Sequence, residues 1–162
     1  MMKLTFGLLC MIFLFSCSKK ENKKIVEIEY YSEPDTIQLQ KNITEKGDIE
    51  SFLTLMRIYE TPEDTLTSKI LKYSFIMADK YNYSKANYLI ARSIIRKEMH
   101  TNNYIEIKNL DEKNKIIVLE RLNKCSNQNT IVCTEVLIDY NKSIDNISEV
   151  KKLEEKLDSL IN

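Results

Sequence analysis

Apolar residues recur at spacings of three and four along most of the chain, the period of amphipathic helices. Phe52, Leu55, Met56 and Tyr59 predict a helix from Asp48 to Glu60, preceded by a shorter one over Thr36 to Lys46 that Gly47 ends, with Asp48 as the cap of the next. Thr61-Pro62-Glu63-Asp64 reads as a turn, after which Ile70, Leu71, Ser74, Phe75, Met77 and Ala78 carry the period through Lys80. Tyr81-Asn82-Tyr83 interrupts it, Ser84 is placed to cap, and Ala86, Leu89, Ile90 and Ile94 mark a helix ending near Lys97. Met99 to Leu110 is a longer connection. Asp111 then opens a helix with Ile116, Val118, Leu119 and Leu122, a second carries Ile131, Cys133, Val136, Leu137 and Tyr140, and the last runs from about Ile147 to Leu160. Two short segments, Ile25 to Tyr31 and Tyr104 to Ile107, alternate like strands, enough for one marginal ribbon.

Comparing the helices at fixed offsets brings out an internal repeat, which decides architecture before any single motif does. At an offset of 47, Ile70 meets Ile117, Phe75 meets Leu122, Ala78 meets Cys125, Ala86 meets Cys133 and Ile90 meets Leu137. At an offset of 34, Gly47-Asp48 meets Tyr81-Asn82 and Leu55-Met56 meets Leu89-Ile90. A unit near 34 residues with one insertion at Met99 to Leu110 accounts for both offsets; chance coincidence of amphipathic helices is the rival account.

Composition agrees with helices. Only two glycines and two prolines occur in 162 residues, too few for the frequent turns of an all-β domain. Apolar residues make up 43%, which sets the chain apart from disordered sequences. Lys plus Arg balance Asp plus Glu at 24 each, so no overall field holds nucleic acid, and nucleic acid is not an expected partner.

The N-terminus reads as targeting information. A short basic start ending at Lys3 precedes twelve largely apolar residues, Leu4 to Phe15, fewer than the roughly 20 of a membrane-spanning helix. Leu14-Phe15-Ser16-Cys17 closes the run and resembles a bacterial lipobox. The resemblance implies cleavage before Cys17, acylation of its thiol and attachment to a membrane, with ordinary secretion or an uncleaved anchor as the alternative. It implies a bacterial cell envelope, and Ser18 in place of Asp after the cysteine points to the outer membrane of a Gram-negative cell. The expected organisation is a signal peptide over 1–16, a lipidated cysteine and charged tether over 17–35, with Lys19, Lys20, Lys23 and Lys24, and a helical domain over 36–162.

From Gly47 to Tyr140 the chain resembles the Sel1 and tetratricopeptide class of helical repeats. Gly47-Asp48 with Leu53 and Tyr59, the Tyr73 to Ala78 segment with Ala86, and Asp111, Leu119, Leu122, Leu137 and Tyr140 carry the likeness. Most glycines of that family are missing, and Tyr81 stands where one is expected. The resemblance implies an all-α fold, a short α-solenoid of about three antiparallel helix hairpins, monomeric, with protein-binding surfaces and no catalysis. Small residues at the hairpin crossings let helices of that family pack closely, and Ala78, Ala86, Cys125 and Cys133 sit at such places. The last helix is either the cap that a solenoid needs at its open end or half of a coiled coil.

The candidate chemistry is sparse. Cys125 and Cys133 are the thiols left once the signal is removed and Cys17 modified, and in an oxidising envelope they form either a disulfide or two small buried contacts. Cys-x7-Cys without a neighbouring His pair does not suit a metal, so no metal or cofactor is expected. His100 is the only histidine, at a helix end, and no nucleophile elbow, zinc-protease motif or phosphate loop accompanies it. Glu154-Glu155 and Glu63-Asp64 read as solvated faces and caps, so no catalytic residue is expected. Tyr73, Tyr81, Tyr83 and Tyr88 are either the aromatic anchors of a binding groove or turn and core packing. The expected function is a non-catalytic adaptor, tethered to the membrane through Cys17 and binding another envelope or secreted protein. An immunity or inhibitor lipoprotein that neutralises a toxin or hydrolase is the second expectation, and an envelope hydrolase a distant third.

Overall fold

Short turns with one left-handed residue set the architecture. The structure of the chain, a computed structural model, describes residues 33–59 and 67–162, and every regular element among them is helical. The elements are α1 (Glu33–Lys46), α2 (Ile49–Tyr59), α3 (Thr67–Phe75) extended by a π-helical turn (Ile76–Lys80), α4 (Ser84–Met99), a 3-10 helix (Tyr104–Asn109), α5 (Glu112–Asn127), α6 (Ile131–Ser143) and α7 (Ile147–Ile161). The signal peptide, Cys17, the tether lysines, the Ile25 to Tyr31 segment and the turn at 61–64 lie outside the described residues.

Each hairpin turns at a residue with positive φ placed two positions before its second helix: Gly47 (65°), Asn82 (53°) and Asn129 (62°). Glycine adopts this conformation freely and asparagine tolerates it, which reverses the chain in a few residues. Asp48 Oδ1 then accepts from the Ser51 amide at 2.6 Å and Asp111 Oδ1 from the Asn114 amide at 3.1 Å, capping α2 and α5.

The repeat is visible in burial. The buried positions of α2, Ser51, Phe52, Leu55, Met56 and Tyr59, shifted by 35 residues, land on Ala86, Asn87, Ile90, Ala91 and Ile94, all buried in α4. A further 47 lands on Cys133, Thr134, Leu137, Ile138 and Asn141, all buried in α6. The first interval is therefore 35 rather than the 34 read from the sequence. The left-handed turn position falls on Asn82, not on Tyr81.

Contacts between hairpins fix the directions of the helices. Lys80 Nζ and Tyr81 OH both donate to Thr44 O, at 2.7 and 2.8 Å, so α1 and α3 end side by side. Ser84, at the start of α4, lies on Cys125, near the end of α5. The odd-numbered helices thus run one way and α2, α4 and α6 the other. Three antiparallel hairpins stack, and α7 follows α6 as the closing helix. It buries Val150 and Leu153 while its opposite face carries Lys151, Lys152, Glu155 and Asp158, the polar outer face expected of a cap.

Three expectations are corrected. Tyr104 to Ile107 is not a strand but part of the 3-10 helix, whose start is capped by Asn103 Oδ1 accepting from the Ile105 amide at 3.1 Å, and which buries Ile107 with Leu110 following. The first helix begins at Glu33 rather than Thr36, because Pro34 is suited to a first turn, where its missing N–H has no partner to lose. Ser84 does not cap its own helix: Tyr83 holds the cap position, and the Ser84 hydroxyl reaches to the neighbouring hairpin.

A candidate docking groove at the hairpin turns

The α3–α4 and α5–α6 turns lie side by side, and between them opens a depression of roughly 470 Å3 lined by Tyr83, Ser84, Lys85, Asn129, Thr130, Ile131 and Val132. Local chain chemistry places each wall. The left-handed Asn82 turns the chain so that Tyr83 stands at the cap of α4, its ring edge-on to Phe52 with centroids 5.9 Å apart. Burial holds the Tyr83 hydroxyl above the ordinary tyrosine range. Across the groove, Asn129 plays the part of Asn82, so Ile131 opens α6 with its side chain exposed.

The floor is hydroxyl chemistry backed by a covalent bridge. Ser84 and Thr130 share a hydrogen bond, which explains why the Thr130 side chain does not cap α6. Ser84 Oγ also faces Cys125 O at 3.4 Å and Cys125 Sγ at 3.7 Å. Cys125 and Cys133 are joined in a disulfide, with Cα atoms 5.9 Å apart, and both are fully buried. In the other two hairpins the equivalent pairs, also eight residues apart, are Ile43 with Ser51 and Ala78 with Ala86, which shows that the bridge occupies the ordinary crossing of each unit.

A polar seam locks the two hairpins beneath the groove. Arg121 of α5 pairs with Asp79, its Nη2 at 3.1 Å from Oδ2, and lies over the Phe75 ring at 5.0 Å. Its Nη1 also donates to Asn87 Oδ1 at 3.3 Å, Asn87 Nδ2 donates to Gln128 Oε1 at 3.4 Å, and Gln128 Nε2 donates to Asn82 Oδ1 at 2.8 Å. Asn87 is fully buried, and the seam supplies its partners on both ends of the amide. The Arg121 hydrogen bond, with its charge and that of Lys124, holds the Asp79 carboxyl below the usual carboxylate range.

The tyrosines singled out from the sequence do not form one cluster. Only Tyr83 lines the groove. Tyr73 is 4% exposed and packs beside Tyr59, which removes it from the set of surface anchors. Tyr81 is tied to Thr44 O and lies under Lys80 and against Gly47. Tyr88 pairs with Tyr104 of the 3-10 helix through their hydroxyls, and burial followed by that bond pushes the Tyr104 hydroxyl well above its ordinary range. The residues that sequence reasoning missed are Ser84 as a bridging group, Thr130, Val132 and the seam residues Asp79, Asn87, Arg121 and Gln128. Asn82 and Asn129, 47 apart like the other matched positions, are the signal that marks the two turns as neighbours.

A second depression, of roughly 400 Å3, lies on α6 and α7 among Glu135, Ile138, Asp139, Lys142, Glu154 and Leu157, and the Lys142–Glu154 ion pair at 2.9 Å spans it. His100 ends α4 in a left-handed conformation, its amide on Arg96 O, exposed to solvent. No group of three metal-liganding side chains occurs among the described residues, and none of their helices is long and apolar enough to cross a membrane. No protein-family model matches the chain, and neither the curated proteins nor the solved structures hold a match to it.

Proposed function

We propose that the chain is a non-catalytic lipoprotein adaptor, held on the outer membrane through acylated Cys17, whose helical-repeat domain docks another envelope or secreted protein in the groove at the hairpin turns. The observation that supports this reading is the set of bonds that braces the groove. An apolar wall of Tyr83, Ile131 and Val132 stands on a disulfide, a hydroxyl pair and a five-residue polar seam. Such a surface meets a partner with little further ordering, which is where affinity is otherwise lost. Tyr also supplies contact area with a polar tip, the chemistry favoured at interface anchors. An inhibitor or immunity role uses the same groove, and the identity of the partner separates the two.

The test is photo-crosslinking in the native host from position 85, at the groove edge, followed by mass spectrometry of bait and captured protein. The expected result is an acylated peptide beginning at Cys17 and one stoichiometric partner that is lost in the Ile131→Glu variant. Glu at the first position of α6 suits the helix dipole, so that variant keeps its fold. Acylation with cross-links indifferent to Ile131→Glu refutes the groove; an unmodified N-terminus refutes the anchor.

A further inference from the structure

The end of the domain opposite the groove carries a different chemistry. Because the odd-numbered helices run parallel, the starts of α1, α5 and α7 share that end with the last turn of α4, the 3-10 helix and the α6–α7 turn. It holds Ile37, Ile105, Ile116, Ile144 and Ile147, exposed by 42 to 67%. Five of the eight exposed large apolar residues among those described therefore gather at this end, each with its side chain in water. Lys108 and Lys151 stand exposed at this end, outside any ion pair of the described residues, Lys113 acts by its charge on Asp111, and the exposed carboxylates of Asp35, Asp111, Glu112 and Asp145 share the end.

The same end is where α1 begins, and the chain leaves it toward Cys17. Fifteen residues lie between Cys17 and Glu33, sixteen steps with a reach of at most about 55 Å at roughly 3.4 Å per step. A helix of 16 residues, the length of α4 or α5, is about 24 Å long. The tether therefore permits either end to meet the bilayer but delivers this one by the shortest path. Exposed isoleucines bordered by charged side chains of both signs suit the boundary between headgroups and acyl chains, where the isoleucines leave water and the charged groups stay among the zwitterionic headgroups.

Resting on the lipid-anchor reading above, we infer that this isoleucine-bearing end, where the tether leaves the domain, seats on the bilayer, so that the domain stands upright and presents the groove away from the membrane. The occupant of the surface is the lipid headgroup layer, not a second protein.

The chain contains no tryptophan, so a single introduced indole is an unambiguous reporter. The full acylated protein is reconstituted in vesicles of phosphatidylethanolamine and phosphatidylglycerol with a brominated phosphatidylcholine, as the separate variants Ile105→Trp, Ile147→Trp and, at the opposite end, Ile131→Trp. All three positions are exposed, and helical circular dichroism checks that each variant folds. Groups seated about 5–10 Å into the interface lie within reach of brominated chains, so emission from positions 105 and 147 falls at least about twofold while position 131 is unchanged. Flotation with the vesicles reads the anchor separately. Protein that floats with no quenching, or with equal quenching at 131, overturns the orientation and leaves the anchor standing. Protein that fails to float overturns the anchor and with it the orientation.

Discussion

Replacing Gly47 with alanine tests whether the turn is built on backbone geometry or on packing. Gly47 has a φ of 65°, and a Cβ built there lies 2.3 Å from Cδ1 and 2.4 Å from Cγ of Tyr81. The left-handed conformation costs a residue with a Cβ about 1 kcal/mol. The ring must also move, and its hydroxyl then loses the bond to Thr44 O, worth about 1 kcal/mol. The Lys80 ammonium over the same ring contributes about 0.5–1 kcal/mol more. Gly47→Ala is thus expected to destabilise by about 3 kcal/mol, a fall of about 1.5 M in the urea midpoint for a slope of about 2 kcal/mol per M. Far-UV circular dichroism reads the transition. In a Tyr81→Ala background the obstruction is gone and the same change costs only about 1 kcal/mol, so the cycle has a coupling of about 2 kcal/mol. Equal costs in the two backgrounds would refute the packing argument, and a midpoint shift under about 0.3 M would refute the conformational one as well.

Three further outcomes follow from the same contacts. Arg121→Met leaves the buried Asn87 carbonyl without its charged donor and is expected to cost about 2 kcal/mol in urea unfolding. It also changes the acid limb: the Asp79 carboxyl is depressed in the folded state, so its contribution is present above the ordinary aspartate value of 3.8 and lost as pH falls through the lower folded value. A stability profile from pH 5 to 2 is therefore flatter in Arg121→Met than in the parent, by a modest amount because Asp79 is half exposed. Ser74 Oγ is buried with no hydrogen-bond partner among the described residues, so Ser74→Ala is expected to leave stability unchanged or raise it by up to about 1 kcal/mol, and a loss greater than about 1 kcal/mol would show that the hydroxyl is satisfied. Closing the short loop between Cys125 and Cys133 is worth about 2–3 kcal/mol on a chain-entropy account, so the Cys125→Ala/Cys133→Ala protein unfolds at correspondingly lower urea. Because both cysteines are fully buried, alkylation after mild reductant is expected only under denaturing conditions, and labelling of the native protein would contradict that burial.

The sequence by itself determined the helices, two of their caps and the hairpin order, because these depend on residues three to eight apart: the apolar period, Gly47 at a reversal, Asp48 and Asp111 at starts. That Cys125 and Cys133 sit at a hairpin crossing was legible for the same reason, but the sequence left a disulfide and two small buried contacts as alternatives, and the structure shows the disulfide. The repeat was legible in outline but one residue out at its first interval. Tyr81 and Asn82 compete for the turn, and only the folded backbone shows that Asn82 takes the positive φ while Tyr81 packs on Gly47. The tertiary structure alone decided the groove and the fate of the tyrosines. Ser84 meets Thr130 across 46 residues, Asp79 meets Arg121 across 42, and Tyr88 meets Tyr104 through a 3-10 helix whose alternation imitates a strand. Residue type cannot tell a core tyrosine from a surface anchor, because the same ring and hydroxyl serve both. Tyr73 and Tyr83 both pack on α2, the first beside Tyr59 and the second against Phe52, but Tyr73 is covered there while Tyr83, at the turn, stays partly exposed, and that depends on how the units stack.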